Sequence, residues 1–90
     1  MERGYDMELT HDCALDIMLY LDDNLKTKNV IYSLQLIKAL NMYSEVQVIQ
    51  NISQLLNSGY ISAQVSEGIN STAYNITNIT TAGYEFIKNH

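Results

Sequence analysis

The sequence predicts an α+β fold, and three patterns support this prediction. Apolar residues recur at helical spacing over 48–56, behind Ser44 at a capping position, and Gly59 follows where that helix must end. Residues 60–77 then alternate apolar and polar side chains around a glycine-containing turn, as a β-hairpin does. Two shorter helical patterns and a short β-branched run come first. The predicted order, α-β-α-α-β-β-α, is typical of a winged helix-turn-helix domain.

The first helix is predicted over residues 11–24. Ala14, Ile17, Met18 and Leu21 repeat at the i, i+3, i+4, i+7 spacing of a single helix face. Thr10 stands at the N-cap position. Residues 1–8 have neither a capping signal nor clear periodicity, so we expect a flexible segment at 1–8 followed by one domain at 9–90.

The other elements are predicted from periodicity and capping residues. They are a strand at 30–32, a helix at 34–40 capped by Ser33, a helix within 44–58, hairpin strands at 60–65 and 72–77, and a helix at 81–89 capped by Thr80. Their apolar faces predict a single core, made of Ile17, Leu21, Leu36, Ile37, Leu40, Ile49, Ile52, Leu56, Ile61, Ile76 and Phe86.

Length, charge and cysteine content narrow the range of function classes. Ninety residues suit one domain, and the formal net charge of −5 comes from an acidic first quarter of the chain. No apolar run reaches the roughly 18 residues of a membrane span, and the polar, acidic N-terminus does not resemble a signal peptide. The single cysteine cannot form an internal disulfide. We therefore expect a cytoplasmic protein that does not enter a membrane.

Four short stretches carry a resemblance to a known family. They are Leu-Thr-His-Asp-Cys at 9–13, Tyr-Ser-Glu at 43–45, Leu-Leu-Asn-Ser-Gly-Tyr-Ile at 55–61, and Ile-Thr-Thr-Ala-Gly-Tyr-Glu-Phe-Ile at 79–87. The chain resembles a family of small uncharacterised winged-helix proteins of Gram-positive phages and prophages. Tyr84 stands where many relatives have histidine. The resemblance implies the fold and a phage or prophage origin, but no biochemical activity.

The cluster His11, Asp12 and Cys13 suggests a catalytic or metal site. However, residues i and i+2 of a helix point roughly 200° apart, so His11 and Cys13 cannot converge on one atom. The sequence also has no glycine-rich phosphate loop and no Cys-x-x-Cys pair. We therefore expect no catalytic residue, no bound metal and no cofactor, and we do not expect an enzyme.

The helix at 44–58 and the hairpin at 60–77 favour a DNA-related regulatory or binding module. Glutamine and asparagine side chains can bond an adenine edge in the major groove of double-stranded DNA, and lysines can contact phosphates. A homodimer would place two such helices about 34 Å apart, one helical turn of DNA. The predicted nucleic-acid-binding residues are Gln47, Gln50, Asn51, Gln54, Lys26, Lys28 and Lys38.

A protein-interaction module is the alternative. In that case the acidic first helix would dock on a basic host or phage protein and modulate it, without any contact to DNA. The residues predicted for this role are Asp12, Asp16, Asp22 and Asp23. The sequence leaves both alternatives open.

Overall fold

The computed structural model of the protein describes the backbone of residues 11–89 and the side chains of residues 12–89. The predicted flexible segment at 1–8 and the predicted cap at Thr10 lie outside the described residues. The described part is a mixed α+β fold of four helices and one antiparallel sheet of three strands. None of its helices is long and apolar enough to span a membrane.

The observed elements follow the predicted order. They are α1 (His11–Asn24), β1 (Ile31–Tyr32), α2 (Ser33–Ala39), α3 (Glu45–Asn57), β2 (Ile61–Glu67), β3 (Thr72–Ile79) and α4 (Thr81–Lys88). Both hairpin strands extend two residues further towards their C-terminal ends than predicted. Helix α2 starts one residue earlier than predicted, so its predicted cap is wrong.

Ser33 does not cap α2. It is the first helical residue, and its Oγ accepts a hydrogen bond from the Tyr74 backbone N–H at 3.0 Å. Tyr32 occupies the N-cap position instead, and its N–H donates to Gln35 Oε1 at 3.0 Å. Ser33 therefore joins the start of α2 to β3, which removes an otherwise unpaired buried donor.

The sheet has the strand order β1-β3-β2, with every neighbouring pair antiparallel. β1 pairs with β3 over two positions only, Ile31 with Ile76 and Tyr32 with Asn75. The register of β2 and β3 shifts between Ser62 and Ala63, so one strand carries an extra residue there. Such a bulge increases the local twist of the hairpin.

Both ends of α3 are fixed by local hydrogen bonds that its sequence predicts. Ser44 Oγ accepts the Gln47 N–H at 3.0 Å, which confirms Ser44 as the N-cap. At the other end Gly59 adopts φ +80°, a conformation that side-chain-bearing residues rarely take. The N–H groups of Gly59 and Tyr60 donate to the carbonyls of Leu56 and Leu55, each at 3.0 Å. This pair of bonds is the Schellman arrangement of a helix C-terminus.

A junction of backbone contacts joins the end of α3, the base of the hairpin and the start of α4. The Thr80 N–H donates to the Tyr60 carbonyl at 3.1 Å, and Thr80 Oγ1 donates to the Gly59 carbonyl at 2.6 Å. The same Oγ1 accepts the Gly83 N–H at 3.1 Å, which confirms Thr80 as the N-cap of α4. A Cβ on Gly83 would collide with the Tyr60 carbonyl oxygen and lie 2.7 Å from Ile79 Cγ2. Glycine at 83 thus allows α4 to approach the hairpin.

A single core lies between α1, α2, α3 and the sheet, as predicted. Seven of the eleven predicted core residues are buried, namely Ile17, Leu21, Leu36, Leu40, Ile52, Ile61 and Ile76. The other four, Ile37, Ile49, Leu56 and Phe86, are partly exposed and pack against it. The Phe86 ring stacks on Tyr60 with centroids 5.1 Å apart, which fixes α4 beside the junction.

Two glycine substitutions distinguish the stability cost of a steric clash at the junction from the cost of a strained backbone conformation. We expect Gly83→Ala to lower the free energy of unfolding by about 3 kcal/mol or more, because its Cβ overlaps backbone that cannot move freely. Gly59→Ala is the control. The added Cβ at position 59 meets no atom within 4 Å, so only the positive φ destabilises this variant. We expect its free energy of unfolding to fall by about 1–2 kcal/mol. Urea denaturation of both variants checks this order, and a larger loss in Gly59→Ala would contradict it.

Candidate interaction surface

Helix α3 carries the four amide side chains that the sequence predicts to read DNA, but not all of them are accessible. Gln50 and Gln54 are exposed, and Gln47 is half-buried. Asn51 is buried, with 1% of its surface exposed. Its prediction as a base-reading residue is therefore corrected, because a side chain enclosed in the core cannot contact a base edge.

The helical spacing of Asn51 accounts for its burial. Val48, Asn51, Ile52 and Leu55 follow the i, i+3, i+4, i+7 pattern and share the buried face of α3. Asn51 Nδ2 donates to the Gln47 carbonyl at 2.8 Å, and Asn51 Oδ1 has no hydrogen-bond partner among the described residues. The helical spacing of Asn51 indicates a core position, but its polar side chain suggests a surface position.

The lysines predicted to contact phosphate lie apart from the exposed amides in the chain. Lys26 and Lys28 are exposed in the connection between α1 and β1, and Lys38 is exposed in the last turn of α2. From residue 44 to residue 79, which spans α3 and the hairpin, the sequence contains no lysine or arginine. The surface of α3 and the hairpin therefore has no cation of its own for a phosphate.

The acidic residues of α1 differ in their accessibility. Asp12 and Asp23 are exposed, whereas Asp16 and Asp22 are half-buried. Asp16 Oδ2 accepts a hydrogen bond from the Tyr43 hydroxyl at 2.7 Å. Burial, together with this bond and the Asp16 charge, raises the pKa of Tyr43 well above its ordinary value. Asp16 thus has a structural role, since it holds the chain just before α3 against α1.

Cys13 is enclosed in the core rather than placed at a surface site. It is a free thiol, and burial, together with the nearby Asp16 carboxylate, raises the pKa of Cys13 to about 11. The side chain of His11 is outside the described part. Within that part, no group of three or more His, Cys, Asp and Glu side chains is placed to hold a metal ion. Cys13 therefore lacks the thiolate character of a reactive cysteine.

An open groove lies between α2, the first turns of α3 and the tip of the hairpin. We call it the hairpin groove, and its volume is about 820 Å³. Ile37 and Ile49 are half-buried along it, and Leu34, Val46 and Ile69 are exposed. The full lining is Ser33, Leu34, Ile37, Glu45, Val46, Ile49, Gln50 and residues 67–73. The groove is thus formed by three elements that are distant in sequence.

The sequence alone does not predict this groove, although two of its residues are unusual for their positions. Ile69 is a large apolar residue in a turn that otherwise holds Gly, Asn and Ser. Val46 lies off the buried stripe of α3 and is exposed in its first turn. Isolated exposed apolar residues are common, so neither was informative until the fold placed them side by side.

Comparison with known protein families identifies a match along most of the chain. A family described as a hypothetical protein family, DUF2513, matches residues 8–90. The chain belongs to this family. No curated protein and no solved structure shows significant similarity to it. Membership does not bring an activity with it, so the function of this family member must be argued from its own surface.

The burial of Asn51 predicts that substitutions at two neighbouring buried positions of α3 differ in their effect on stability. Ile52→Ala should lower the free energy of unfolding by about 2–5 kcal/mol, because it leaves a cavity in the core. Asn51→Ala should change it by no more than about 1 kcal/mol, because it also removes a buried acceptor without a partner. Thermal and urea unfolding of both variants measure the difference. An equal loss would contradict the assignment of Asn51 Oδ1 as a buried acceptor without a partner.

The raised pKa of Cys13 predicts a loss of stability at alkaline pH. The folded state holds the thiol proton more tightly than the unfolded state, so this contribution is present below about pH 9 and is lost as the pH rises to about 11. Cys13→Ala should reduce the slope of unfolding free energy against pH in that interval. In the unsubstituted protein the thiol should react slowly with thiol reagents at neutral pH. An unchanged slope in the variant would contradict this assignment.

Proposed function

We propose that this domain is a protein-interaction module that docks on a basic partner protein through the surface of α3 and the β2–β3 hairpin, without binding DNA. The proposal includes a winged helix-turn-helix arrangement in which α3 is the third helix and the hairpin is the wing. The Ser44 cap, the Gly59 C-terminus and the hairpin that follows support this arrangement. A phage or prophage origin, implied by the sequence resemblance, is part of the same proposal.

One observation carries the proposal. Between residues 44 and 79 the only charged residues are Glu45 and Glu67, and both line the hairpin groove. Much of the affinity of a protein for double-stranded DNA comes from cations that neutralise phosphates. Two carboxylates at this surface repel a phosphate backbone and attract lysine and arginine. The surface is therefore better suited to a basic protein than to DNA.

Double-stranded DNA is the second candidate because Gln50 and Gln54 are exposed side by side on α3. Their amides have the donor and acceptor groups that recognise adenine. In this case Lys26, Lys28 and Lys38 would supply the phosphate contacts. With about three such cations, the logarithm of affinity would fall against the logarithm of salt concentration with a slope of about −2 to −3.

A titration of duplex DNA decides between the two candidates. We expect the full chain to show no binding to labelled duplex at tens of micromolar protein and about 50 mM salt, since its contact surface lacks cations. Binding that weakens with salt, and that Gln50→Ala reduces for some DNA sequences only, would support the DNA-binding candidate and contradict the proposal.

A second experiment searches for the protein partner with tagged protein in a nuclease-treated lysate of the native cells. A partner recovered there must bind again when both proteins are purified.

A further inference from the structure

We infer that the hairpin groove is the docking site, and that it takes a peptide segment of the partner with a large apolar side chain flanked by lysine or arginine. This inference rests on the proposed function and specifies which surface is used and what chemistry the partner must present. It differs from the acidic face of α1, which the sequence alone indicated.

The apolar part of the groove calls for an apolar anchor. Leu34, Val46 and Ile69 line it with 58%, 64% and 98% of their surfaces exposed. They come from α2, α3 and the hairpin tip, and Ile37 and Ile49 continue the apolar lining between them. The groove therefore brings apolar side chains of three elements to one place, where a single apolar side chain of a partner can contact several of them. The side chain of Ile69 is almost fully in water, so the fold itself does not explain an isoleucine there.

The openness of the groove indicates a macromolecular segment rather than a small ligand. Small-molecule sites enclose most of the ligand surface. Here three of the apolar lining residues are more than half exposed, so a small molecule would remain largely in water. A peptide can cover the three exposed side chains together and extend beyond the groove.

The charges at the groove specify the flanking residues of the partner. Glu45 lies in the first turn of α3 and Glu67 at the end of β2, and both carboxylates belong to exposed residues. Among the described residues that line the groove there is no lysine or arginine. Charge complementarity therefore selects a partner segment with lysine or arginine beside its apolar anchor.

The same charges argue against two other occupants. A second copy of this chain carries a net charge of −5 and would bring more carboxylates to the groove. The N-terminal residues 1–10 hold Glu2, Asp6 and Glu8 against Arg3, so they are acidic as well. Sedimentation and deletion of residues 1–10 distinguish these two occupants from a partner peptide.

Selection from a library of random 16-residue peptides displayed on phage, with the full chain as bait, tests the inference. Enriched peptides should share a large apolar residue next to lysine or arginine. Val46→Asp should weaken the purified peptides by about tenfold or more, because a carboxylate replaces the apolar contact. Asp is favourable near a helix N-terminus, so this variant should fold. Leu19→Asp is the matched control, an exposed apolar residue of α1 outside the groove, and it should bind normally.

Charge reversal tests the electrostatic part with the same peptides. Glu45→Lys and Glu67→Lys should each weaken binding about threefold or more at low salt, and the difference should shrink as salt rises. Asp23→Lys, an exposed acid on α1, is the control and should have little effect. Circular dichroism melting of every variant confirms that it is folded.

Several outcomes overturn the inference. These are no enrichment of peptides, enriched peptides without basic residues, or peptides that bind the Val46→Asp variant as tightly as they bind the unsubstituted chain.

Other outcomes identify a different occupant or partner. Self-association in sedimentation that Val46→Asp abolishes would identify a second copy as the occupant. Peptide binding that appears only after residues 1–10 are deleted would identify the chain's own N-terminus. A purified protein partner that binds Val46→Asp normally but loses binding to Gln54→Ala, which is exposed on α3 outside the groove, would keep the proposed function and reject the groove. Specific binding of duplex DNA would reject the proposed function itself.

Discussion

The contact between the Tyr60 carbonyl, Thr80 and Gly83 is the constraint on which the arrangement of the domain depends. Tyr60 precedes β2 and Thr80 follows β3, so the Thr80 N–H bond to Tyr60 closes the base of the hairpin next to the paired residues Ile61 and Ile79. Thr80 also caps α4, and the missing side chain at Gly83 lets α4 lie against the Tyr60 backbone. A single junction thus fixes the end of α3, the direction of the hairpin and the position of α4. These residues belong to the stretches that carry the family resemblance, and their role in this chain is structural.

The hairpin groove lies at the opposite end of the same hairpin. The β2–β3 ladder runs from the Ile61–Ile79 pair at the junction to the Glu67–Thr72 pair at the tip. Because the base is held by the junction, the tip projects beside the first turn of α3, where Val46 and Glu45 lie. Exposed apolar residues do not help a monomeric domain to fold, and the carboxylates beside them do not favour contact with nucleic acid. A basic, partly apolar protein segment accounts for both features with one partner.

The sequence was most informative where a local pattern sets the structure directly. The N-caps Ser44 and Thr80, the end of α3 at Gly59 and the buried stripe around Ile52 were all predicted, because capping and helical periodicity act within a few residues. It was less informative where a side chain serves a distant element. Ser33 was predicted as a cap but bonds Tyr74, which lies 41 residues further along the chain. Asn51 was predicted as a DNA contact because it is polar, although its spacing places it on the buried face.

By itself, the sequence determined the α+β class, the order of the elements, seven of the fifteen buried core residues and the absence of cations between residues 44 and 79. These follow from periodicity, turn chemistry and composition, which need no knowledge of long-range contacts. Only the tertiary structure decided that Leu34, Val46 and Ile69 form one surface and that Glu45 and Glu67 flank it. The physical reason is that a groove between α2, α3 and a hairpin tip exists only after the chain has packed. Residues twelve or more positions apart, such as Leu34, Val46 and Ile69, carry no local signal that they will meet.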